Sequence, residues 1–201
     1  MKRSAVFEET FQHYLEQTRR IDFLAKAGML GVDIDGDSLI IPIYDKIYIF
    51  SEEGLREKKG EEVTPAVQVM ICKYILTCNS DMETITDKLV TYREFKNSGP
   101  LISYFTTNTN KTLESTFSAN IDLLKERSQN IGGEILTSDV YDLSLRFYAF
   151  PKIPVLVNFN DSDDLFPSKS SVLYRSTAEH YLDMECLAMT GTLLVGKLIG
   201  P

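Results

Sequence analysis

The segment Arg175-Ser-Thr-Ala-Glu-His-Tyr-Leu-Asp-Met-Glu185 packs ionisable side chains of both signs into the approach to a helix. Histidine titrates near neutrality, so His180 could move a proton, oriented by Glu179 or Asp183. Nothing in the sequence marks a nucleophile for it. Cys186 stands six residues away across the start of a helix, which is poor geometry for a thiol–imidazole pair. The plainer assignment is a packing or capping residue at an irregular turn, and the surroundings favour it. Arg93-Glu94 is the other candidate. In a strand these two point to opposite faces, and the one facing the core needs a partner. The 175–185 segment is the nearest supply of unexplained charges, so Arg93 or Glu94 is expected beside it. The candidate catalytic residues are therefore His180, Glu185, Arg93 and Glu94. The candidate binding residues are Tyr92, Arg175 and Tyr181.

Other reactive types read more simply. Cys72 and Cys78 are six apart on one predicted helix, a rotation of about 600°, which puts them on nearly opposite sides. Zinc and iron–sulfur sites are usually announced by tight pairs such as C-x₂-C. With Cys186 they read as buried hydrophobes. His13 lies between Glu9 and Glu16 on a solvated helix face. The turn Asp161-Ser-Asp-Asp164 lacks the glycine and distal glutamate of an EF-hand loop. Tyr44, Tyr48, Tyr92, Tyr104, Tyr148 and Tyr174 fall on predicted strands or their ends, where they pack a sheet face or line a pocket. No metal and no cofactor is expected.

The elements that must carry these residues follow from hydrophobic period. Phe7, Phe11, Tyr14, Thr18 and Ile21 mark an amphipathic helix over residues 4–20. Asp35-Gly36 lies between apolar runs at Val32–Ile34 and Leu39–Ile41, and a third run follows at Ile47–Phe50, so residues 31–51 read as a β-meander. Residues 51–63 read as a charged loop. Thr64-Pro65 opens a helix that is apolar nearly all round and therefore buried. A strand is expected over 89–95, a long helix over 110–129, strands near 142–149, 154–159 and 171–174, and a last helix over 183–199. The order does not alternate as a parallel α/β fold would. The expectation is an α+β single domain over 1–201: a helical segment 1–30, the meander 31–51, and a core 64–201. One antiparallel sheet of about six strands would carry three or four helices.

The composition suits a packed core, with 201 residues, 43% hydrophobic and 25% charged. A net charge of −8 with scattered basic residues argues against nucleic acid and against an anionic membrane surface. No run of roughly 20 apolar residues is present to span a bilayer, and the first residues do not read as a signal peptide. With three unpaired cysteines, this predicts a cytoplasmic protein.

Three stretches resemble a known family. They are Val90-Thr-Tyr-Arg-Glu-Phe95 with Gly99; Phe150-Pro-Lys-Ile-Pro-Val-Leu-Val157; and Phe166-Pro167, Val172-Leu-Tyr174, His180-Tyr-Leu182, Glu185 and Leu187. From about residue 64 onward the chain resembles an uncharacterised domain-of-unknown-function family, number 3786, of anaerobic bacteria and archaea. The resemblance implies no assigned reaction. Some relatives look fused to a cysteine-rich iron–sulfur module, which this chain lacks. Arg175 and Cys186 stand where the family pattern suggests acids. The reading that follows is a non-catalytic accessory protein that binds a small molecule or a partner protein in anaerobic metabolism, with homo-oligomerisation left open. The alternative is an enzyme acting on a small anionic substrate with a polar site centred on His180.

Overall fold

The structure is a computed structural model that describes residues 2–78 and 87–200, with the backbone alone for residues 2–7. Helix α1, Lys2–Arg19, buries Phe11, Leu15 and Thr18 and half-buries Tyr14, as its stripe predicts; the Phe7 side chain lies outside the described residues. A 3₁₀ turn, Leu24–Lys26, leads into α2, Ala27–Leu30, which ends at Gly31 in the left-handed region with φ 67°.

The meander is a four-stranded antiparallel sheet of β1 (Asp33–Asp35), β2 (Ser38–Ile43), β3 (Lys46–Ser51) and β4 (Gly54–Glu57). Gly36 and Asp37 make the first hairpin turn and Tyr44 and Asp45 the second. Strand β4 corrects the expected loop over 51–63. Charged residues are tolerated there because β4 is an edge: Arg56 is exposed, and the buried Glu57 carboxylate accepts from Lys59 N (2.6 Å) and Glu61 N (3.2 Å).

Helix α3, Pro65–Thr77, is the central helix expected, with Val67, Val69, Met70, Ile71, Cys72, Tyr74 and Ile75 buried. It lies against α1. Its C-terminal carbonyls are satisfied from outside: Lys26 Nζ donates to Ile75 O (2.8 Å) and Cys78 O (2.8 Å).

A second antiparallel sheet holds five strands in the order β5-β9-β8-β7-β6: β5 (Leu89–Thr91), β6 (Glu134–Leu136), β7 (Leu143–Phe150), β8 (Ile153–Asn160) and β9 (Lys169–Arg175). The single sheet of about six strands is thus replaced by two sheets of four and five. Alternate residues Leu145, Phe147, Val155, Val157, Val172 and Tyr174 are buried on one face. The sheets meet where Tyr44 N donates to Tyr148 O (2.9 Å). Tyr44 adopts φ 53°, and its hydroxyl donates to Thr190 O (2.8 Å), so turn and final helix are tied together.

The helix expected over 110–129 is broken in two, and α-helical structure begins before it, at Ile102. A turn of α-helix, α4 (Ile102–Phe105), runs into a π-helical turn at Thr106–Lys111, then α5 (Thr112–Phe117). Ser118–Asn120 interrupts the helix, with Ala119 at φ 57°, before α6 (Ile121–Asn130). The last helix, α7 (Met184–Ile199), is capped by Asp183, whose side chain accepts from Cys186 N at 2.9 Å.

Candidate ligand cleft

The expected strand over 89–95 ends at Thr91, and Tyr92–Glu94 forms a 3₁₀ turn. The cause is a capping box: Glu94 Oε2 accepts from Thr91 N (2.7 Å) and Thr91 Oγ1 (2.9 Å). Those bonds hold the Glu94 carboxyl below its ordinary pKa. Arg93 and Glu94 therefore do not sit on opposite faces of a strand, and both are exposed.

Strand β5 pairs with β9 only through Leu89↔Arg175, Val90↔Tyr174 and Thr91↔Leu173. The first residues of β9 have no neighbour on that side. Side chains of the π-turn and α5 take over the edge hydrogen bonds. Ser170 N donates to Glu114 Oε1 (3.0 Å), Asn110 Nδ2 donates to Ser170 O (3.1 Å), and Ser170 Oγ donates to Asn110 O (3.0 Å). Because these side chains reach further than a backbone would, a gap opens between the 3₁₀ turn and the π-turn. It is a cleft of about 350 Å³.

The buried rings of Tyr92 and Phe105 border the cleft, stacked at 4.4 Å with 11° between their planes. Tyr92 donates its hydroxyl to Met184 O (2.7 Å), and burial, then the charges of Asp183 and Glu185, push its pKa up to about 12. Ile102 and Val172 add apolar surface; Thr91, Thr106 and Ser171 add polar surface. Arg93, Lys111 and Lys169 line the cleft against one carboxylate, Glu114. Lys111 Nζ pairs with Glu114 at 2.7 Å, whereas no carboxylate lies within ion-pair distance of Arg93 or Lys169 among the described residues.

The π-turn has a sequence cause. Thr106-Thr-Asn-Thr-Asn110 is made of poor helix formers, of a type whose side chains bond backbone carbonyls. Thr109 Oγ1 donates to Phe105 O, Asn108 Nδ2 to Tyr104 O (2.8 Å), and Thr112 Oγ1 to Thr107 O (3.0 Å). Such turns recur at functional sites. This one is held against α7 at Gly191, where an added Cβ would lie 2.7 Å from the Phe105 ring, 2.9 Å from Tyr174 Oη and 3.0 Å from Thr109 Cγ2.

The model of a family described as a domain of unknown function, DUF3786, matches residues 22–197. The chain belongs to that family. The match reaches back well beyond residue 64 and takes in the four-stranded sheet. No curated protein and no solved structure matches the chain.

Within this family domain, the residues singled out from sequence scatter. Tyr92 and Arg93 meet in the cleft. Arg175 is exposed and pairs with Asp87 at 3.2 Å. Glu185 is exposed in the first turn of α7, and Tyr181 is buried with its ring 5.7 Å from that of Tyr74. His180 ends a 3₁₀ turn, Ser176–His180, and its buried Nε2 has no hydrogen-bond partner among the described residues. None of these four, nor Glu94, lines the cleft. The two segments do adjoin, but through the β5–β9 pairing and the Tyr92–Met184 bond; Glu94 turns to Thr91 and Arg175 to Asp87. The cysteines are buried. Burial pushes the Cys72 thiol up to about 12 and the Cys186 thiol higher than its ordinary value. Among the described residues no group of three or more His, Cys, Asp or Glu gathers around a point where an ion could sit.

Asn110, Lys111, Glu114, Lys169, Ser170 and Ser171 carry no motif and were not candidates. The one local signal is the Thr/Asn run of residues 106–110, just ahead of the helix expected over 110–129.

Proposed function

We propose that this domain is a non-catalytic binding module whose ligand occupies the cleft between the Tyr92–Glu94 turn and the π-turn. The observation that carries this reading is how the cleft's polar groups are used. Glu114, the only carboxylate lining it among the described residues, is held by Lys111 Nζ through one oxygen and by Ser170 N through the other, so it serves to fasten the cleft wall. Arg93 and Lys169 line the cleft as cationic donors suited to holding a ligand. A volume of about 350 Å³ is at the small end of ligand sites. An accessory role in anaerobic metabolism, inside the cell, is part of the same proposal; it is supported by the sequence resemblance and by three free cysteines. No helix among the described residues is long and apolar enough to cross a membrane.

The test is a thermal-shift and native mass-spectrometry screen of small metabolites on wild type and Ser171→Trp, which fills the cleft from β9. A ligand that binds wild type and not Ser171→Trp supports the proposal. Binding that survives Ser171→Trp moves the site elsewhere. One observation favours a second reading, an enzyme centred on His180: the buried Nε2 without a partner. Turnover of any bound compound that His180→Ala abolishes would replace the binding reading with that one.

A further inference from the structure

Resting on the reading that the cleft binds a ligand, we infer that the ligand is a small organic oxyanion, a carboxylate or phosphate ester, held at its charged end by Arg93 and Lys169. The chain as a whole carries −8, so a random concavity on it would be lined by acid. This one is lined by three cations and one carboxylate. The acids around it are already engaged. Glu114 is paired with Lys111, and Glu94, which neighbours Arg93 in sequence, points its carboxylate at Thr91 N and Oγ1. The arginine and the lysine are what remain. A guanidinium offers two parallel donors to a planar or tetrahedral oxyanion, and an ammonium adds a point charge. Ser171 and Thr106 line the same space and can add hydroxyl donors. Ile102 and Val172 leave room for a short apolar or polyol stem on the other side.

Both cations are exposed, so recognition should weaken with salt in the way solvent-screened charges do. Neither has an ion-pair partner to lose among the described residues, so their neutral variants are expected to keep the fold. Neutral variants therefore isolate binding from folding.

Calorimetry with inorganic phosphate, glycerol 3-phosphate, succinate and neutral glycerol separates the sources of the oxyanion. The proteins are wild type, Arg93→Gln, Lys169→Gln and, as a control outside the cleft, Lys125→Gln. The expected result is saturable binding of glycerol 3-phosphate or succinate, none of glycerol, and a dissociation constant raised about tenfold or more by Arg93→Gln and by Lys169→Gln. Lys125→Gln should bind as wild type does. Equal weakening by all three variants would mean general charge attraction and would overturn the inference. So would a neutral metabolite that binds wild type, fails on Ser171→Trp and ignores Arg93→Gln; that outcome would leave the binding reading standing. If no anion binds wild type and no metabolite distinguishes it from Ser171→Trp, both fall.

Discussion

Gly191→Ala tests the contact that holds the cleft wall in place. The new Cβ would meet the Phe105 ring at 2.7 Å, Tyr174 Oη at 2.9 Å and Thr109 Cγ2 at 3.0 Å. Distances below about 3 Å cannot be absorbed without movement. The neighbours are poorly placed to give way. Phe105 is stacked on Tyr92, and Tyr174 hydroxyl bonds Leu187 O (3.3 Å) and Thr190 Oγ1 (3.2 Å). Overpacking of this kind costs about 1–3 kcal/mol. Replacing a mid-helix glycine by alanine returns about 0.5–1 kcal/mol. The balance is a loss of about 0–2.5 kcal/mol with a middle value of about 1 kcal/mol, or roughly 2–4 °C in Tm at this chain length for that middle value. Urea unfolding followed by circular dichroism reads it, with the m-value checked for constancy. Gly196→Ala on the same helix is the control. Nothing lies within 4 Å of its added Cβ, so it should be neutral or stabilising. If Gly191→Ala proves as stable as Gly196→Ala, the close approach of the π-turn to α7 is wrong.

Three further perturbations have definite signs. Lys26→Met removes the ammonium from the carbonyls that end α3 and should lower stability by about 1–2 kcal/mol, read as a shift in the urea midpoint. Asp183→Ala removes the α7 cap and the Lys73 ion pair at 3.0 Å, at a cost of about 1–2 kcal/mol at neutral pH. Burial opposes the charge on Asp183, but the bonds from Cys186 N and Lys73 outweigh it and lower its pKa. That contribution is present above the unfolded value of about 4 and is lost as pH falls through the lower folded value, so wild type and variant should converge in acid. The cysteine thiols, buried and with raised pKa values, should react with a disulfide reagent at pH 8 only as fast as the protein opens, and all three at once in denaturant.

Period and punctuation determined much of the architecture from sequence alone. The α1 stripe, the buried α3, the hairpin beside Gly36 and the last helix each follow from interactions between residues a few positions apart. Such interactions are written locally. The family stretches likewise pointed to the right family from residues alone. The number of sheets was not legible. Strand β4 looks like a charged loop because its acid, Glu57, is satisfied by backbone donors beyond the strand, and the two sheets come together where Tyr44 meets Tyr148, about 100 residues later. The cleft was legible only at Tyr92 and Arg93. Its other side comes from β9 and the π-turn, some 60 residues apart, joined by the Asn110–Ser170 and Glu114–Ser170 bonds. A strand read by itself does not say where its neighbour stops. Here the Glu94 cap ends β5 three residues in, and that shortfall, decided only when β5, β9 and the π-turn are in place, makes the opening.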